Sequence, residues 1–240
     1  MITDTPHIGF DRFISLEWAA AALRVRAGFS SQDDFKACIS EAGLSPAAKK
    51  KTITVLNRLW LLPLPDLDEF ASRGVAIFRK EPDVSVAALT WGMAITTYPF
   101  FGQVAEIIGR LTSLHGDCSS ADVHRRMAEK YGEREGTRRM TNMVIQSQQD
   151  WGCLARYDNK RRIRREPRIS VTSTAAIEWI IEACLRYYRR PIPVETIPSA
   201  PLLFPIDFGA PMATIVAGSG HLELRQQGSM SSMISLRSAG

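Results

Sequence analysis

Cysteine is scarce. The 240 residues hold four, Cys38, Cys118, Cys153 and Cys184, widely separated and without a CxxC pair. This spacing excludes a disulfide framework and the common zinc ribbons, and the simplest reading is a cytoplasmic chain with reduced thiols. An apolar leader is also missing. Asp4, Asp11 and Arg12 interrupt the N-terminus before a hydrophobic stretch can develop, so no secretory signal is expected. Long hydrophobic runs are absent with one exception. Residues 84–105 carry no charge and match a membrane span in length, but Ser85, Thr90, Gly92, Thr96, Thr97, Gly102 and Gln103 dilute them and Pro99 breaks them. The expected outcome is a buried central helix followed by a second helix, with no membrane partner.

Catalytic signatures are missing too. There is no P-loop, nucleophile elbow, HExxH motif or dinucleotide fingerprint. His115, Cys118 and His124 lie close together, but their spacing matches no familiar zinc module. Asp33-Asp34, Asp66-Asp68-Glu69 and Glu133-Glu135 suit helix caps and solvent-facing turns. A metal-dependent nuclease would need acids converging from separate elements, which spacing alone does not test. The expectation is a non-enzyme with no cofactor, no metal and no catalytic residue.

What is present reads as a globular chain, 45% hydrophobic and 23% charged. Helix starts recur: Ser15, Ser30 or Ser31, Ser45 before Pro46, Ser119, and Ser173 or Thr174 each precede an apolar stripe at helical spacing. After His115-Gly116 the pattern changes. One helix over 121–130 stops at Gly132, and a second opens at Gly136-Thr137 and stops at Gly152. An extended run 154–157, a turn at Asp158-Asn159-Lys160 and a second run 161–171 then complete the elements of a winged helix-turn-helix. Towards the end, 213–217, 221–226 and 233–237 read as short extended segments, with Gly218-Ser219-Gly220 as a hairpin turn. The fold class is mainly α. It comprises a helical domain over 1–115, a winged helix-turn-helix over 116–172, and a helix, proline-rich connector and small β tail over 173–240.

Charge is concentrated in the same place. Residues 124–168 hold 13 Lys or Arg against 6 Asp or Glu, a surplus of seven, whereas the whole chain carries +5. The remainder is therefore at −2, and the basic character is local. In a helix-turn-helix the second helix enters the major groove by its N-terminal end, here Thr137, Arg138 and Arg139. Arginine forks onto guanine, while Asn142 and Gln146, one helical turn apart, suit adenine. Lys160, Arg161, Arg162, Arg164 and Arg165 in the wing suit phosphates or a minor groove. The expected partner is duplex DNA, with RNA, a transcriptional regulator's own operator and protein docking as alternatives.

Several short motifs carry a resemblance. Pro99-Phe100-Phe101 before a helix, Tyr131-Gly132 closing the next, and Asp150-Trp151-Gly152-Cys153-Leu154 opening the wing look like accessory proteins of bacterial phage defence. The run 203–208 and the run 222–228 have a similar character. The family named by this resemblance is BrxA, of the BREX phage-exclusion systems. It implies a small, largely helical, non-enzymatic DNA-binding protein working beside other defence-system proteins, methyltransferase and nuclease among them. The resemblance covers about half the chain, from Pro99 on, and no catalytic residue carries over.

Overall fold

The computed structural model describes residues 9–227 and 231–237, and over them the chain is mainly helical with three small sheets. The first helices are α1 (Leu16–Arg26), α2 (Gln32–Glu41) and α3 (Pro46–Leu56), the last followed by a π-helical turn, Asn57–Leu61. Next come α4 (Asp68–Lys80), α5 (Val86–Thr97) and α6 (Pro99–His115). Serine hydroxyls cap them where the sequence places them: Ser15 accepts from the Trp18 amide, Ser31 forms a reciprocal box with Asp34, and Ser45 and Ser85 accept from Ala48 and Ala88.

The uncharged stretch becomes two helices that share Pro99 as a boundary. Residues 87–95 of α5 are buried on every side, as expected of a helix apolar all round its circumference. Among the described residues no helix is long and apolar enough to cross a membrane. α9 (Thr174–Tyr188) packs against α5 and α4 and is buried along most of its length. Its Trp179 stacks on Phe70 at 4.3 Å between ring centres and donates its indole N–H to the Phe70 carbonyl at 2.8 Å. Glu182 on the same helix, 2% exposed, is held by Arg73 at 2.6 Å and by the Arg186 Nε at 2.8 Å.

A different order begins at the end of α6. Strand β1 (Asp117–Ser119) leads into α7 (Ser120–Tyr131) and α8 (Glu135–Asp150), and a hairpin follows from β2 (Leu154–Tyr157) and β3 (Arg162–Arg165). The three strands form an antiparallel sheet in the order β1-β3-β2, with Cys118 opposite Ile163 and Arg156 opposite Ile163 on the other side. The helices α6, α7 and α8 pack on one another.

Three expectations are corrected. The run 161–171 is not one strand: β3 ends at Arg165, and β4 (Ile169–Val171) leaves the hairpin to pair in parallel with β6 (Ile206–Phe208). Pro167 between them removes a ladder donor. Residues 212–217 form a short helix, α10 (Met212–Ala217), rather than a strand. Gly218-Ser219-Gly220 therefore joins a helix to β7 (Leu222–Gln227) instead of turning a hairpin. The sheet in the tail is β5 (Ile192–Pro193), β8 (Ser231–Leu236) and β7, so the connector supplies one strand. Residue 228 of the run 222–228 lies outside the described residues.

Close backbone approach is the constraint on α6. A Cβ built on Gly109 would sit 2.0 Å from the Pro201 carbonyl oxygen. Neither helix backbone nor connector can yield that distance cheaply. Gly109→Ala is expected to cost at least about 1–3 kcal/mol by overpacking. Gly136, in the first turn of α8, has nothing within 4 Å of its virtual Cβ. Gly136→Ala is expected to stabilise by about 0.5–1 kcal/mol through helix propensity. Urea denaturation of the two variants checks both signs, and a neutral Gly109→Ala would refute the packing argument.

Candidate nucleic-acid interface

α7 is held at its first residue to the hairpin turn that leads into β3. Ser119 accepts from the Asp122 amide as cap, the Ser120 amide donates to the Arg161 carbonyl at 2.7 Å, and the Ser120 hydroxyl donates to the Lys160 carbonyl at 2.9 Å. Val123, Met127 and Tyr131 form its buried stripe. Gly132 ends it at φ +84°, a value open to glycine at little cost. α8 follows after Arg134 without a side-chain cap on its first turn.

The two helices border an open groove of about 1050 Å³, lined among others by His124, Arg125, Arg138, Arg139 and Asn142. Glu129, Glu133 and Glu135 also line it, clustered at its turn end. On α8, residues 137, 141, 144, 145 and 148 are buried, and Arg138, Arg139, Gln146 and Gln149 are exposed. Its inner side is fixed by the start of the chain. The Ile14 amide donates to the Ser147 hydroxyl at 2.8 Å, the Leu16 amide to the Asp150 carboxylate at 2.6 Å, and the indole of Trp151 to the Ile14 carbonyl at 2.9 Å.

The ten basic and polar residues expected from the sequence divide into three groups. Arg138, Arg139, Gln146, Lys160, Arg161 and Arg164 are exposed. None of these cations enters an ion pair among the described residues, and the Arg164 guanidinium rests on the Tyr157 ring at 5.8 Å. Asn142 is half-buried and lines the same groove as His124. The other three have internal partners. Thr137 is 3% exposed, and its carbonyl accepts from the Thr141 hydroxyl. Arg162 grips both carboxylate oxygens of Asp117 across the β1–β3 pair, with the Tyr157 hydroxyl on the same carboxylate. These contacts hold the Asp117 carboxyl below the usual range. Arg165 donates to the Thr112 hydroxyl at 2.6 Å and to the Gly109 carbonyl, and lies 5.4 Å from the Phe204 ring. Arg165 therefore ties the hairpin to α6 rather than facing outward.

The hairpin tip carries backbone strain. Asp158, Asn159 and Lys160 have φ of +48°, +50° and +64°, three non-glycine residues in a row in the left-handed region. Asp and Asn adopt it readily, lysine does not. Arg156, whose guanidinium donates to the Lys160 carbonyl at 2.9 Å, braces the turn from below. Arg138, at the start of α8, lines the same groove as His124.

Asn142 is legible in the sequence as a helix-face polar group; the role of His124 emerges only from α7 and α8 lying side by side. Its Nε2 is buried without a hydrogen-bond partner. The cysteines nearby are inert: burial pushes the Cys118 and Cys153 thiols up to about 12. Among the described residues no cluster of three His, Cys, Asp or Glu side chains could hold a metal ion.

Burial, reinforced by the charges of Arg138 and Arg156, holds His124 below its ordinary pKa, and the Asn142 hydrogen bond opposes the shift. The unfolded chain therefore binds the proton first as pH falls, so the contribution of His124 to stability is present above about pH 6.5 and is lost below it. The denaturation midpoint is expected to fall between pH 7 and pH 5, and His124→Gln to flatten that fall. An unaltered pH profile in the variant would contradict the assignment. Comparison with protein-family models, curated proteins and solved structures gives no match to this chain.

Proposed function

We propose that residues 116–172 form a winged helix-turn-helix that binds duplex DNA, with α8 in the major groove and the β2–β3 tip on flanking phosphates. One observation carries the reading. The cations without internal partners, Arg138, Arg139, Lys160, Arg161 and Arg164, sit on the second helix and hairpin of a helix–strand–helix–helix–hairpin unit. A three-stranded sheet in the order β1-β3-β2 closes that unit. Such a unit offers a helix of the right width for the major groove and a ribbon for the backbone beside it.

The roles follow from exposure. Arg139, Asn142 and Gln146 stand at i, i+3 and i+7 and so share one face, suited to base edges. Lys160, Arg161 and Arg164 contact phosphate and set register without reading sequence. Glu133 and Glu135 repel phosphate at the α7–α8 turn, which moves backbone contact towards the hairpin. Nothing in this scheme requires a catalytic group, and the reading is of a non-enzymatic binding protein. The resemblance to the BrxA family adds a setting to the proposal: an accessory factor of a phage-exclusion system, acting beside its other defence proteins on DNA.

Fluorescence anisotropy with a labelled duplex over a salt series tests it. The logarithm of affinity is expected to fall linearly with the logarithm of salt. Arg138→Glu with Arg139→Glu, and separately Lys160→Glu with Arg161→Glu and Arg164→Glu, are each expected to lower affinity at least about tenfold at constant salt. Unchanged binding by both folded variants would reject the reading. Arg165→Ala separates binding from folding. Losing its bonds to Thr112 and Gly109 is expected to lower the melting temperature by several degrees, while the salt slope stays within about one unit of the parent's.

A further inference from the structure

The helical first half of the chain also presents positive charge beside α8. Lys50, Lys51, Thr54 and Arg58 are exposed along α3 and the π-helical turn that continues it. Lys51, Thr54 and Arg58 line a groove of about 300 Å³ together with Met140 of α8. Lys50 and Arg58 enter no ion pair among the described residues, and Lys51 has only the Asp11 carboxylate, at 3.5 Å.

The helical wheel of α8 fixes where this strip lies. With about 100° per residue, Arg139 and Gln146 mark the centre of the exposed face. Arg138 and Asn142 lie to one side of that centre, and both line the groove shared with α7. Met140 and Ser147 lie on the other flank; Met140 lines the α3 groove, and Ser147 bonds to Ile14. The exposed face of α8 is thus bordered by two basic margins. One is α7 with the hairpin tip, the other is Lys50, Lys51 and Arg58. A helix in a major groove about 12 Å wide runs between two phosphate backbones, one on each side.

We propose that Lys50, Lys51 and Arg58 form a second phosphate-binding strip, which holds the DNA strand on the side of the groove opposite the hairpin. The proposal rests on the DNA-binding reading of α8. It assigns the first half of the chain a direct share of the interface rather than a purely supporting role. Two observations support it: the free cations and the shared groove between α3 and α8. Charge complementarity selects a nucleic-acid backbone as the occupant, and the two-sided arrangement selects a duplex over a single strand.

The test uses the full chain and a fluorescein-labelled duplex of about three helical turns, with a single-stranded RNA of equal length in parallel. Lys50→Gln with Arg58→Gln removes two phosphate contacts without reversing charge. The variant is expected to reduce the salt slope by about 1.8 units and to lower affinity at least about tenfold near 100 mM salt, with its circular dichroism spectrum unchanged. Adding Lys51→Gln deepens both effects. If Arg138→Glu with Arg139→Glu weakens duplex binding while the α3 variant keeps the parent slope, the second strip is refuted and the reading of α8 stands. If the parent chain shows no salt-dependent affinity for duplex, the reading of α8 and the strip fall together. A loss confined to the single-stranded RNA likewise overturns the strip as a duplex contact.

Discussion

A single aromatic junction positions α8. Trp151, at the end of α8, lies 5.2 Å from Phe101 and 6.4 Å from Trp91, and Trp91 meets Phe204 at 5.3 Å. Phe10 closes the group against Phe101 at 5.1 Å. These rings come from the start of the chain, α5, α6, the end of α8 and the proline-rich connector. Both indoles also spend their N–H on backbone carbonyls, Trp151 on Ile14 and Trp91 on Leu202. Rings of this size bury enough apolar surface to dominate a local core, and the indole bonds fix their orientation. The orientation of α8 is thereby set from its C-terminal end and inner flank, leaving its N-terminal half and outer face free.

The distribution of arginines follows the same division. Arg73 and Arg186 neutralise Glu182 inside the molecule, and Arg165 spans from the hairpin to α6. Arg162 with Asp117 is more exposed. An ion pair so placed contributes little stability, but it bridges β1 and β3 at their paired register. What remains outward, on α8 and the hairpin, is a set of cations that enter no ion pair among the described residues. Unpaired positive charge held on a rigid scaffold favours an anionic partner by long-range attraction before any contact is made.

Much of this was legible in the sequence, and the limits are physical. Serine caps at residues 15, 31, 45, 119 and 173 are local signals, because a hydroxyl and an amide three residues on decide them. The break at Pro99 is local for the same reason. Strand β1 is not: it is three residues long and exists because Arg162–Arg165 returns beside it some forty-five residues later. Residues 213–217, Ala-Thr-Ile-Val-Ala, look extended by their β-branched centre, yet they start from Pro211 as a helical cap and pack on α9 and β7. Among the candidate site residues, Arg138, Arg139 and Gln146 were recognisable from helix periodicity. That Arg162 pairs with Asp117 and Arg165 turns in onto α6 was not, because charge type says nothing about which cation finds an acceptor. The basic strip on α3 was missed for a related reason: its helix carries a good apolar stripe, and that stripe accounts for only one of its faces.

The bonds from Ile14 and Leu16 to Ser147 and Asp150 have a consequence for how any duplex would be accommodated. They splice the beginning of the chain into the inner flank of α8, so the helix has little freedom to rock or slide. A binding surface that is already in its final shape loses little entropy on association. It also cannot follow an irregular target. Adjustment in groove width and bend then falls to the nucleic acid, and sequences that deform easily would be favoured at base pairs no side chain touches.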